Sequence, residues 1–144
     1  MYFSEFFKRH RKTYFDRLED YREGKIEAWL EFFLKGVKEV AQEAIAVSDK
    51  IVALHERDTQ TIATFSKKTS VGALELLKEL YKSPIVNARR IQEVTGFSRQ
   101  GVYNLTDRFT EAGILSLRDE KKYGRSFVYR DYLKLFEHEN TSSY

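Results

Sequence analysis

The chain has 144 residues, 42% hydrophobic and 15% aromatic, with seven glycines, one proline, no cysteine and a net charge of +3. This composition builds packed cores, and its scarcity of Gly and Pro favours long helices over a loop-rich β fold. Without cysteine there are no disulfides, thiol catalysis or thiolate metal sites, which fits a reducing compartment. No apolar run approaches the roughly 20 residues that cross a bilayer. The opening "MYFSEFFKRHRK" interrupts its apolar residues with charge before a signal-peptide core can form. The expectation is a cytoplasmic chain without a membrane partner.

In chain order, Ser4 can cap a first helix, and Tyr2/Phe3, Phe6/Phe7, His10, Tyr14, Leu18 and Tyr21 recur every three or four positions up to Gly24. A longer helix follows. Ile26, Trp29/Leu30, Phe33, Val37, Val40/Ala41, Ala44, Val47/Ser48, Ile51 and Leu54 form its apolar stripe. The stripe fades in "RDTQTIATFSKKTS", which reads either as the frayed end of that helix or as a linker. Aromatic stripes such as Phe3/Phe7/Tyr14 and Trp29/Phe33 are core packing at this spacing rather than a ligand cavity.

After residue 65 the elements become short. Ser70 is read as the cap of "VGALELLKELY", with Val71, Leu74, Leu77 and Leu80 as its apolar face. Pro84 stops that helix, and Ile85–Val86 can form a strand. Asn87 caps "ARRIQEVT", Gly96 supplies a left-handed turn, and Ser98 caps "RQGVYNLTDRFTEA", which Gly113 terminates. "ILSLRDE" and "RSFVYR", joined by "KKYG", alternate as a two-stranded hairpin, and "DYLKLFEH" closes as a helix.

The fold class that follows is mainly α. A long helical hairpin or bundle (1–65) precedes a winged helix-turn-helix with a small β-hairpin (66–144). Ile91, Phe97, Val102 and Leu105 fall where the two-helix corner needs apolar side chains, whereas Gln92 takes a place usually held by a small residue. Residues 1–65 carry 11 Lys/Arg against 12 Asp/Glu, and residues 66–144 carry 14 against 10, so the basic excess lies wholly in the second segment. That is the sign nucleic acid requires.

Candidate DNA-binding residues are Ser98, Arg99, Gln100, Tyr103 and Asn104 at the start of the recognition helix. Arg89 and Arg90 before the turn, and Lys121, Lys122 and Arg125 in the wing, are candidates for phosphate. Winged helices also dock proteins, so duplex DNA and a protein target are both retained as partners. The three histidines, His10, His55 and His138, are not at ligand spacing, so neither a metal nor any other cofactor is expected.

Three stretches, "YFSEFFKRHRKTYFDRL", "AWLEFFLKGVKEVAQEAI" and "GILSLRDEKKYGRSFVYRDYL", together resemble the C-terminal region of Fic-domain proteins. The resemblance covers essentially all 144 residues and is most specific over Tyr2–Leu18 and Trp29–Val37. It implies helices that follow a catalytic loop, then a closing winged helix. Fic enzymes typically transfer AMP from ATP to protein hydroxyls through a His-led, glycine-rich phosphate loop. No such run is present here, because none of the three histidines precedes one, and no P-loop or dinucleotide turn is present either.

The resemblance therefore implies a non-catalytic C-terminal portion with a DNA-binding or regulatory winged helix. The alternatives are the C-terminal piece of an AMP-transferase that acts only with a separate catalytic part, or a docking and oligomerisation module. In the Fic-like arrangement the front helices pack on upstream helices. A homodimer that covers Phe3, Phe6, Phe7, Tyr14, Trp29 or Phe33 is accordingly expected.

Overall fold

The computed structural model describes residues 3–121 and 124–137. The chain divides into two compact units, Met1–Asp49 and Lys50–Tyr144.

In the first unit the expected single front helix is two, α1 (Phe3–Arg9) and α2 (Arg11–Arg22), followed by the start of α3 (Ile26–Ala63). Ser4 lies inside α1 rather than capping it. The break is at His10 (φ −109°, ψ 33°), yet the backbone bonds His10 N–H to the Phe6 carbonyl and Tyr14 N–H to the His10 carbonyl are both made. Both helices pack on α3. On one side of the break Phe6 and His10 meet Phe32 and Glu39, and on the other Tyr14 meets Phe7 and Trp29. Phe6 is fully buried and leaves no room for a side chain at Gly36, where an added Cβ would stand 2.6 Å from its ring. Arg9 clamps Glu43 of α3 through two hydrogen bonds at 3.0 and 3.2 Å.

In the second unit the Thr-rich stretch is helix. α3 runs on to Ala63, and Leu54, Asp58 and Ile62, each four positions apart, point into the core. This is why residues 50–65 belong to the second unit, although the composition changes only at 65/66. Helix α4 (Lys67–Lys82) takes Ser66 as its N-cap, four residues earlier than the cap the sequence suggests, and Ser70 lies within it. Its buried face is Gly72, Ala73, Leu76, Leu77 and Leu80, with Glu79 at the edge, while Val71 and Leu74 are exposed. The expected face was therefore rotated, because Leu76 rather than Leu74 meets the core.

Strand β1 (Ile85–Asn87), α5 (Ala88–Thr95), α6 (Arg99–Glu111), β2 (Ser116–Lys121), β3 (Gly124–Val128) and α7 (Arg130–Glu137) complete the unit. The antiparallel sheet has the order β1-β3-β2, with Val86 opposite Phe127 and a bulge between Leu117 and Asp119. The hairpin thus gains a third strand from Ile85–Asn87.

Helix, strand, helix, turn, helix, two-stranded wing is the winged helix-turn-helix. Its local signals act as the sequence implies. Asn87 Oδ1 accepts from Arg90 N–H at 2.8 Å, and Ser98 Oγ accepts from Gly101 N–H at 3.2 Å. Gly96 turns the corner at φ 68°. Gly113 at φ 74° closes α6 with a paired C-terminal motif, Ile114 N–H to the Phe109 carbonyl and Gly113 N–H to the Thr110 carbonyl. Ile91, Val102, Leu105 and Phe109 are fully buried, and Phe97 packs on α4 at Gly72. Gln92 is exposed and so does not crowd the corner.

Candidate nucleic-acid interface

The outer face of α6 is polar because its other face, Val102, Leu105, Thr106 and Phe109, is spent on the core. Arg99, Gln100, Tyr103 and Asn104 therefore recur on the outer side at spacings of one, three and four. The Arg99 Nε–H points to the Tyr103 hydroxyl at 3.4 Å, and its guanidinium lies 5.9 Å from the ring centre. From the sheet, the Arg125 guanidinium lies 5.5 Å from the same ring. Such contacts are worth about 0.5–1 kcal/mol each at exposed sites, enough to orient the two guanidinium groups on the ring. Beside them Gln100 Nε2–H donates to Asn104 Oδ1 at 3.0 Å.

The fold thus brings together Arg99, Tyr103 and Arg125 as one cluster and Gln100 and Asn104 as a second. It does not add Arg89 and Arg90 to either. Arg89 on α5 pairs with Glu93 at 3.3 Å. Arg90 is held by Glu79 of α4 at 2.8 Å and by Glu93 at 3.4 Å. The Arg90 hydrogen bond keeps the Glu79 carboxyl below its ordinary pKa, against the upward push of burial. The Ser98 hydroxyl is engaged in capping. Of the wing lysines, the Lys121 side chain and all of Lys122 lie outside the described residues, as does His138.

The aromatic candidates for self-association belong to the first unit. Phe3 stacks on Phe33 with ring centres 5.4 Å apart, and Phe7 meets Tyr14 at 4.9 Å. Phe6 is buried within its own chain, beside Phe32, which the sequence reading did not name.

One polar network was missed altogether. Asp58 on α3 is fully buried. It accepts a hydrogen bond from the Tyr129 hydroxyl and pairs with Arg57 at 2.7 Å, while Arg57 also reaches Asp131 of α7 at 3.0 Å. Tyr81 and Tyr132 pack around the Tyr129 ring. Burial pushes the Tyr129 hydroxyl well above its ordinary pKa, and its bond to Asp58 adds to the shift, so it remains a donor. The signal was the four-residue step Leu54, Asp58, Ile62, hidden by the polar residues between them.

Among the described residues no group of three His, Asp or Glu could hold a metal, and no helix is long and apolar enough to cross a membrane. No protein-family model matches the chain, and no curated protein matches it.

Proposed function

We propose that the chain is a DNA-binding or regulatory winged-helix module without enzymatic activity of its own. The observation that carries this reading is the Arg99–Tyr103–Arg125 cluster. Two cations from different elements converge on one aromatic ring, next to a pair of amides on the same exposed helix face. Guanidinium groups suit phosphate oxygens, and amides suit base edges.

The test is a salt-titrated duplex binding assay. If Arg99 and Arg125, with Lys121 and Lys122 of the wing, neutralise phosphates, log K falls with log[salt] at a slope of roughly −3 to −4. An Arg99→Ala/Arg125→Ala variant should weaken binding to every sequence and flatten the slope by roughly 2. A wild-type chain that retains no duplex at about 50 mM salt would be a docking module instead.

The relation to Fic-domain proteins rests on the sequence resemblance, and we propose it on that ground together with catalytic inertness. AMP transfer needs a general base and a charge-neutralising metal site, and the His-led loop that supplies both is missing from this sequence. Labelled ATP with Mg²⁺ should leave the chain and candidate target proteins unlabelled. Transfer by the purified chain would refute this reading.

A further inference from the structure

We infer that Gln100 and Asn104 act as one adenine-reading unit in the major groove, an inference that rests on the DNA-binding reading above. Both are exposed on α6 and four positions apart, and Gln100 Nε2–H donates to Asn104 Oδ1 at 3.0 Å. A side-chain amide carries two N–H donors and a carbonyl with two lone pairs. This bond uses one N–H of Gln100 and one lone pair of Asn104. It fixes the two amide planes relative to each other before any ligand arrives, so less rotamer freedom is left to lose on binding.

Each amide then still presents a donor beside an acceptor, and because one adenine edge takes one amide, the other serves to hold it in place. The major-groove edge of adenine is the complement of that pattern, with N7 accepting and the N6 amino group donating. Guanine places two acceptors, N7 and O6, side by side, so one of them faces an amide carbonyl. Cytosine offers a donor alone, and thymine an acceptor next to a methyl group. Arg99, the neighbouring side chain best suited to guanine, is instead turned onto Tyr103. The base-reading part of the face is therefore left to the two amides.

The experiment is enrichment of bound duplexes from a randomised pool at low salt, using the full chain. Wild type should select A·T at one position over G·C by on the order of tenfold to a hundredfold. Gln100→Ala and Asn104→Ala should flatten that same position, and the double variant should add little to either single one. Asn104→Asp turns the pair toward acceptors and should shift the preference toward cytosine. These positions are exposed, so circular dichroism should be unchanged in all four variants. If wild type retains duplexes without base preference, or if the two single variants flatten different positions, the paired reader is overturned while the DNA-binding reading stands. If no duplex is retained at all, both fall.

Discussion

Among the described residues Asp58 is the most deeply buried charged side chain, and a carboxylate out of contact with water needs every partner it has. Tyr129→Phe removes a hydrogen bond to a charged group and should cost about 1.5–3 kcal/mol. Arg57→Ala strands the buried carboxylate and should cost more, near 3 kcal/mol, the low end of the range for a buried pair because half of Arg57 already lies in water. Adding Asp58→Asn to Arg57→Ala should recover part of the loss. Urea unfolding of the full chain measures all three. An Arg57→Ala variant as stable as wild type would show the network to be ornamental.

Glu79 allows a second test at this scale, by pH. Its pKa in the folded chain is depressed by Arg90, so the stabilisation is present above the unfolded value, about 4.3, and is lost as pH falls through the folded value. Arg90→Gln should therefore be less stable than wild type at neutral pH, and the gap should close on acidification below about 4.3. A gap constant from neutral to acid pH would assign the loss to packing rather than charge.

At the scale of elements, α4 shows how a correct assignment can carry the wrong phase. Val71, Leu74, Leu77 and Leu80 form an acceptable stripe, but so do Ala73, Leu76, Leu77 and Leu80. Only the neighbours choose between them, namely Phe97 against Gly72 and the core shared with Leu54 and Ile62 of α3. Helix propensity alone makes Gly72→Ala favourable by about 1 kcal/mol. A Cβ there would stand 2.3 Å from the Phe97 ring, and overpacking costs about 1–3 kcal/mol, so the substitution should destabilise. A Gly72→Ala variant more stable than wild type would show that Phe97 does not sit on α4.

Elements governed by local rules were legible in the sequence. Asn87, Ser98, Gly96 and Gly113 each solve a problem of the backbone within four residues of themselves. The end of α3 was only half legible, because its threonines and charges left a frayed helix end and a linker both open, while Asp58 and Ile62 are held by residues far along the chain. The same division runs through the candidate site. The outer face of α6 follows from periodicity, whereas the approach of Arg125 to Tyr103 depends on where the sheet sits.

At the scale of the whole molecule the matter is association. We propose a homodimer through the first unit, where α3 leaves Leu30, Phe33, Leu34, Val37 and Ile45 exposed, Leu34 and Ile45 at 62% each. Four of these, at positions 30, 33, 34 and 37, recur at helical spacing, the pattern an interaction face takes. A twofold dimer would put two winged helices in one particle, and linkage makes each binding event assist the other. Light scattering should give twice 17.0 kDa at micromolar concentration, and Leu34→Lys/Ile45→Lys should return the monomer with its helical circular dichroism intact. A monomeric mass across the accessible range would rule the dimer out.

The hydrogen bond between Asp58 and Tyr129 joins positions 71 residues apart. Arg57 and Asp131 are 74 apart. During synthesis α3 is complete long before either partner leaves the ribosome, so for that interval Asp58 must stay in water. A carboxylate in that position should oppose early collapse of the nascent helix onto another apolar neighbour. Closure of the second unit should then wait until its last strand has been made. A nascent chain stalled before Tyr129 should remain open to protease around residues 50–63, and one stalled well after Asp131 should be protected.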